Sequence, residues 1–93
     1  MGSQSNLQVE NQQFRVVQWT IDPGGYIPMH QHNHDYVVVP LVNALMHVIN
    51  EDGSEQFSEL RAGESYSRSR GTIHQVENRN SHQTISFIEI ERL

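Results

Sequence analysis

Residues 24–43 read GGYIPMHQHNHDYVVVPLVN, and the interpretation of the whole chain starts from this segment. It places His30, His32 and His34 at alternate positions. In an extended strand, side chains two residues apart point to the same face, so three imidazoles would lie side by side. Neutral imidazole is the commonest protein ligand for transition metals. The segment therefore predicts a metal site, and His74 in RGTIHQVEN is the natural partner if the chain folds back to meet it.

Outward from this segment, the sequence is a series of short apolar stretches separated by turn signals. The turns include DPGG at residues 22–25 and EDGS at residues 51–54, both rich in residues that favour tight turns. No stretch has a convincing helical period, and the pattern is typical of an all-β sandwich or barrel in a single domain. The predicted strands are residues 14–21, 27–34, 36–42, 45–50, 55–60, 64–69, 73–77 and 83–91.

The two ends of the chain and Pro40 carry further expectations. Residues 1–10 begin with the small, polar stretch MGSQSN, and we predict a flexible segment there, followed by the β-barrel domain over residues 11–93. Pro40 cannot donate a ladder hydrogen bond, so we expect an edge or a bulge at this residue. The last strand is apolar on both faces, which predicts a homodimer formed through one of them.

Composition argues against several classes of partner. The chain has 93 residues and a net charge of −5, from six Lys and Arg against eleven Asp and Glu, so binding to nucleic acid or to an anionic membrane is not expected. There is no cysteine for a disulfide or a thiolate site. The longest apolar run, residues 37–42, is far shorter than a membrane span, and no basic and apolar signal peptide is visible. We therefore expect a cytoplasmic protein.

Two spaced motifs resemble those of the cupin superfamily. The first runs from Gly24 to Asn43, where the family pattern is G-x5-H-x-H-x3/4-E-x6-G. The second runs from Gly63 to Asn78, where the family pattern is G-x5-P-x-G-x2-H-x3-N. Together they span more than half of the chain, and the run HQHNHDYVVVP is similar to that of small stand-alone bacterial cupins of the RmlC-like type.

The resemblance implies a fold, a ligand set and a cofactor. The fold would be a double-stranded β-helix, or jelly roll. The metal ligands would be His30, His32 and His74, holding one divalent transition metal in the mouth of the barrel. Tyr36 stands where the family has its glutamate ligand, so the usual fourth protein ligand is missing. Asn43 and Ser69 replace a glycine and a proline of the motifs, which are milder changes.

The fourth coordination position has more than one candidate. His34 shares parity with His30 and His32 in a regular strand, but a bulge near Asn33 or Asp35 would turn it outward. Water is the simpler alternative, with Tyr36 as a catalytic residue that donates a hydrogen bond to the metal-bound water or to a ligand. Histidine ligands suit iron, nickel, zinc, manganese and copper alike. If the cupin is vestigial, the histidines only hydrogen-bond to one another inside the barrel.

The sequence supports two main hypotheses about function. One is a metal-dependent enzyme acting on a small organic molecule, and the resemblance suggests a dioxygenase or an isomerase. The other is a non-catalytic module that binds a small molecule or a metal. A structural oligomer without a site is a third interpretation. Arg68 and Arg70 flank the second motif; solvated charge is the simpler interpretation, and a clamp for a carboxylate substrate is the alternative.

Overall fold

Nine antiparallel strands and no helix make up the regular structure of the chain, seen in a computed structural model that describes residues 1–93. No element of it is therefore a long apolar helix of the kind that crosses a membrane. Most strands predicted from the sequence occur within a few residues of their expected bounds. The strands are β1 (Ser3–Glu10), β2 (Phe14–Ile21), β3 (Tyr26–Gln31), β4 (Tyr36–Pro40), β5 (Ala44–Asn50), β6 (Glu55–Leu60), β7 (Tyr66–Arg68), β8 (Ile73–Glu77) and β9 (Ile85–Arg92).

The strands form two sheets that pack face to face as a double-stranded β-helix, as predicted. One sheet has the order β1-β2-β9-β4-β7 and the other the order β3-β8-β5-β6. The alternating pattern of the strands turns one set of side chains inward to a shared apolar core. The buried core residues are Ile21, Ile27, Tyr36, Val38, Met46, Val48, Leu60, Val76, Ile85 and Phe87.

The first ten residues lie differently from the sequence-based expectation. Residues 3–10, which we expected outside the barrel, form β1 and pair with β2 from Ser3↔Ile21 to Glu10↔Arg15. Main-chain hydrogen bonds hold this strand at the edge of the sheet, while nearly all of its side chains are exposed. A strand held in this way needs no apolar alternation, and so its composition did not reveal it.

Pro40 ends β4 at a position where only one of the two neighbouring strands still pairs with it. It is the last residue of β4 and pairs with Phe87 of β9. On the other side of β4, the pairing with β7 stops at Val38. Pro40 thus lies at a local edge, where a residue that cannot donate a hydrogen bond is tolerated.

The outward face of the five-stranded sheet is apolar around β9. Ile90 lies between Val16 of β2 and Val37 of β4 in adjacent pairs, and Ile88 pairs with Val39. Ile85, Phe87 and Glu89 point the other way and are buried. The outward row is the surface through which we expect the homodimer.

We propose a homodimer through this row, and a charge placed in the row should separate the two subunits. We expect Ile90→Glu to be monomeric in sedimentation equilibrium at concentrations where the wild type is dimeric, because an unpaired carboxylate is costly to bury in an interface. Leu45→Glu is the matched control, since Leu45 is exposed on the other sheet. A wild-type monomer, or a dimer that survives Ile90→Glu, would show that this face is not the interface.

Candidate metal centre

Three histidines from both cupin motifs meet at one end of the sandwich. His30 of β3 pairs directly with His74 of β8. His32 lies just beyond the end of β3, and its main chain stays tied to the loop before β8. His32 N donates to Thr72 O at 2.9 Å, and His32 O accepts from Gly71 N at 2.8 Å. The strand pairing thus places residues 30, 32 and 74 together although they are far apart in sequence.

The ring nitrogens of these residues point to a common centre. The Nε2 atoms of His30 and His32 are 2.9 Å apart, and those of His32 and His74 are 3.1 Å apart. All three residues offer ligand atoms within 4.8 Å of one another. The three rings thus present their nitrogens to one another as a group of possible metal ligands, and not as three side chains that are solvated separately.

The other ring nitrogens decide which tautomers are present. His30 Nδ1 is 2.7 Å from Pro28 O, and a carbonyl oxygen can only accept, so this Nδ1 carries the proton. His32 Nδ1 is 3.2 Å from the carboxylate oxygen Oε1 of Glu89; a lone pair on Nδ1 would face this negatively charged oxygen, so Nδ1 carries the proton here too. The Nε2 atoms of His30 and His32 therefore present lone pairs to each other at 2.9 Å, where no hydrogen bond can form between them. A cation at the centre would satisfy both, which is how the donor set fits a metal.

Two of the three rings resist protonation, so a bound proton does not readily take the place of that cation. Burial, together with the neighbouring histidines His30 and His74, lowers the pKa of His32 from 6.5 to about 3. Burial, with His30 and Arg68 adding to it, lowers the pKa of His74 from 6.5 to about 4. Both rings are thus neutral near pH 7, in the form that binds metal.

Glu89 of β9 is a part of this site that the sequence did not reveal. Its carboxylate is buried, with the residue 7% exposed; it accepts a hydrogen bond from Trp19 Nε1 at 2.9 Å, and its other oxygen lies 3.2 Å from His32 Nδ1. Burial and the charge of Glu91 raise its pKa from 4.5 to about 7. A signal was present in the alternation of β9, since Glu89 continues the inward series of Ile85 and Phe87.

Tyr36 occupies the place of the family's glutamate and is also buried, at 4% exposure. Its ring stacks on His32, with centroids 4.0 Å apart and planes 19° apart. Its hydroxyl makes no hydrogen bond in the structure, and the nearby Thr72 hydroxyl donates to Ser69 O. Burial and the charge of Glu89 raise the pKa of Tyr36 well above its usual 10, so the hydroxyl stays protonated. It is suited to donating a hydrogen bond to a ligand, and not to acting as a base.

His34 does not join the three histidines, although strand parity predicted that it could. β3 ends at Gln31, and residues 32–35 leave the strand conformation. Asp35 holds this bend by accepting a hydrogen bond from Arg70 N at 2.7 Å. His34 is absent both from the set of close ligand atoms and from the lining of the adjacent cavity. The alternative in which a break in the strand turns His34 away is the one that the structure supports.

The histidines line a cavity of about 340 Å³ inside the sandwich. A volume of that order suits a small organic molecule. About half of the wall is apolar, and Trp19, Val48, Phe57 and Phe87 belong to that half. The polar and charged groups that line it, besides the three histidines, Tyr36 and Tyr66, are Asn50, Gln56, Ser58, Arg68, Thr72 and Glu89.

The structure is similar to those of known cupins. A cupin domain from Bordetella pertussis superposes with a TM-score of 0.93 at 34% sequence identity, covering 99% of this chain and 94% of that one. A Klebsiella pneumoniae protein with a double-stranded β-helix domain superposes with a TM-score of 0.79 at 19% identity, covering 97% and 76%. The chain belongs to the cupin superfamily, as its two motifs predicted.

A curated relative is similar over nearly the full length. Beta-alanine degradation protein BauB from Pseudomonas aeruginosa is 36% identical over 85 residues, which are 91% of this chain and 87% of that protein. No family model matches the sequence.

Neutral burial of the histidines makes the stability of the metal-free protein depend on pH. The folded-state pKa of His74, about 4, lies below its ordinary value of 6.5, so the unfolded chain binds more protons between these pH values. The stability that this neutral ring contributes is therefore lost progressively as the pH falls below about 6.5. Glu89 acts in the opposite sense, since its pKa is raised, and its contribution is lost as the pH rises through about 7.

We expect the unfolding free energy of metal-free His74→Gln, measured in urea titrations, to rise less steeply between pH 4.5 and 6.5 than that of the wild type. The difference between the two slopes should correspond to at most about one proton taken up on unfolding. His82→Gln is the control, because His82 is exposed and lies outside the site. Parallel curves for His74→Gln and the wild type would contradict the neutral burial of this ring.

Proposed function

We propose that this cupin binds one divalent transition metal through His30, His32 and His74 and acts as a metal-dependent enzyme on a small organic molecule. The observation that carries the proposal is the pair of Nε2 lone pairs 2.9 Å apart, each favoured by an oxygen close to the Nδ1 atom of the same ring: Pro28 O beside His30 and Glu89 Oε1 beside His32. Water and the substrate would take the remaining coordination positions. The reaction would be of the oxygenase or isomerase type.

The number of protein ligands is that of a catalytic rather than a structural site. Catalytic metal sites commonly take three protein ligands and keep a position open, whereas structural sites are closed by four. Three histidines, with Tyr36 in place of the family's glutamate, would leave positions open for water and substrate.

A bound metal supplies Lewis acidity, and iron can also supply oxygen chemistry. The chain supplies the rest. Glu89 Oε1, 3.2 Å from His32 Nδ1, attracts the proton on that nitrogen and so favours the tautomer whose Nε2 faces the metal position. With its pKa near 7, the Glu89 carboxyl is also a proton acceptor in a cavity where the family's glutamate is missing. Tyr36 offers a hydroxyl proton to the substrate, and the apolar walls limit water.

The relative from Pseudomonas aeruginosa is named for the degradation of β-alanine. This likeness supports a role in the metabolism of small organic compounds, and we propose that the protein acts in the cytoplasm. The alternative function is a binding module that holds a metal or a small molecule without turning it over. Glu89 favours the enzyme, because a buried carboxyl group that lines the cavity beside His32 could exchange a proton with a bound substrate.

Two measurements test the proposal. Protein prepared without a metal-affinity column and stripped with a chelator should take up about one equivalent of metal from an iron, nickel, zinc, manganese and copper panel, as measured by elemental analysis. The iron-loaded protein should then be assayed for oxygen uptake and for isomerisation over diketones, thiols and catechols, with His30→Ala as the inactive control. Metal uptake with no turnover but tight ligand binding would favour the module, and no metal uptake would overturn both.

A further inference from the structure

The cavity contains one cation that no acidic group in the protein neutralises. Arg68, at the end of β7, lines the cavity and is exposed at its rim. Its guanidinium donates only to Ser67 O, at 3.0 Å, and no carboxylate lies within ion-pair distance. The guanidinium carbon stacks 4.6 Å from the centre of the Tyr66 ring, which holds it in place. An arginine fixed by stacking and left unpaired is well suited to bind an anion.

A hydrogen-bond donor lies directly across the sheet from this cation. Tyr36 and Arg68 are paired residues of β4 and β7, so their Cβ atoms are about 5 Å apart. The Tyr36 hydroxyl is buried and makes no hydrogen bond in the structure. A buried donor left unpaired is costly, and a ligand oxygen would remove that cost. The two groups together form a site for an oxyanion, in a cavity otherwise rich in apolar side chains.

The charge of the cavity leads to the same conclusion. Three neutral histidines do not offset the two positive charges of a divalent metal. Glu89 is the only acidic residue in the lining, and Arg68 adds a further positive charge. Buried charge is stable only when it is paired. An anionic ligand would therefore be favoured over its neutral analogue.

From these observations we infer that the substrate is a small carboxylic acid whose carboxylate pairs with the Arg68 guanidinium and accepts a hydrogen bond from the Tyr36 hydroxyl. The inference rests on the proposed metal-dependent function and names its substrate class. It assigns Arg68 to recognition, which the sequence alone made the less favoured of two interpretations.

Matched pairs of acids and amides test the inference directly. Lactate against lactamide, and 3-hydroxypropionate against its amide, differ in charge and little in shape. Calorimetric titration into nickel-loaded protein should show the acids binding at least about tenfold more tightly than the amides, as expected for a charge-assisted contact. In Arg68→Met, which keeps an unbranched apolar chain, the preference should fall to near unity, and Arg68→Lys should retain part of it. Tyr36→Phe should weaken the acids several-fold.

The control is Arg70→Met, because Arg70 also flanks the second motif but does not line the cavity. This variant should keep the full preference for acids. Equal binding of acids and amides by the wild type, or no binding of any acid, would overturn the inference. So would a preference that survives in Arg68→Met, since the metal alone would then be responsible.

Metal content, measured on every sample, separates this inference from the proposal on which it rests. Wild-type protein that takes up no metal overturns the proposed function. Protein that takes up one equivalent but does not discriminate acids from amides overturns only the substrate class.

Discussion

His32→Ala should lower the affinity for the metal roughly a hundredfold or more, since even the loss of an outer partner of a metal ligand costs about 10–100-fold. His32 is the central member of the site: its Nε2 lies 2.9 Å from that of His30 and 3.1 Å from that of His74. Its removal deletes a ligand and also leaves Glu89 without its histidine partner. Competition titration against a chromophoric chelator would measure the change.

Two further histidine variants sharpen this test. His82→Ala should bind metal like the wild type, because His82 is exposed and outside the cavity. His34→Ala should also bind normally, because the structure keeps His34 out of the three-histidine set. A loss in His34→Ala equal to that in His32→Ala would restore the four-histidine site that strand parity allowed. Circular dichroism and thermal melting of each metal-free variant would show whether folding is preserved.

Glu89→Gln should lower the metal affinity by about 10–100-fold, although Glu89 is not itself a ligand in the proposed set. One carboxylate oxygen accepts a hydrogen bond from Trp19 Nε1 and the other lies 3.2 Å from His32 Nδ1, whereas an amide has only one oxygen to offer these two N–H groups. One donor would then face the amide NH₂ group, and a buried donor left unpaired costs about 1–3 kcal/mol. The His32 ring would lose both its orientation and the negative charge that strengthens it as a ligand.

The matched control for this variant is Glu59→Gln. Glu59 pairs with Arg61 on the surface, where its side chain is 68% exposed, so the same change of charge should leave metal binding unaltered. The same chelator competition would compare the two variants. Unchanged affinity in Glu89→Gln would mean that the hydrogen bond to Glu89 does not support the site.

The sequence was sufficient for those parts of the fold and site that depend on local patterns. Alternating apolar residues and turn signals predicted eight of the strands, and the spacing of two motifs predicted that His74 lies beside His30 and His32. Asn78, the last residue of the second motif, is buried and donates from its amide to Ile21 O and Gln83 O. Each of these features follows from short-range spacing combined with the pairing of strands.

Features that depend on long-range contact were not predictable in this way. β1 is held by main-chain bonds and has no apolar pattern. His34 is turned away by a bend that Asp35 and Arg70 stabilise across 35 positions of sequence. Glu89 and Arg68 reach the cavity from strands that carry no metal ligand, and their roles depend on which charges the folded chain leaves next to them.

The position of Glu89 has a mechanical consequence for the domain. His30 and His74 belong to the four-stranded sheet, whereas Glu89, which anchors His32, belongs to the five-stranded sheet. An ion bound by the three imidazoles would thus connect the four-stranded sheet to the five-stranded sheet through the contact between His32 and Glu89. Saturating metal at a hundred times its dissociation constant would add about 2.7 kcal/mol to the stability. In so small a domain the metal would stabilise the fold as well as take part in the reaction. Removing it with a chelator should therefore lower the melting temperature by several degrees.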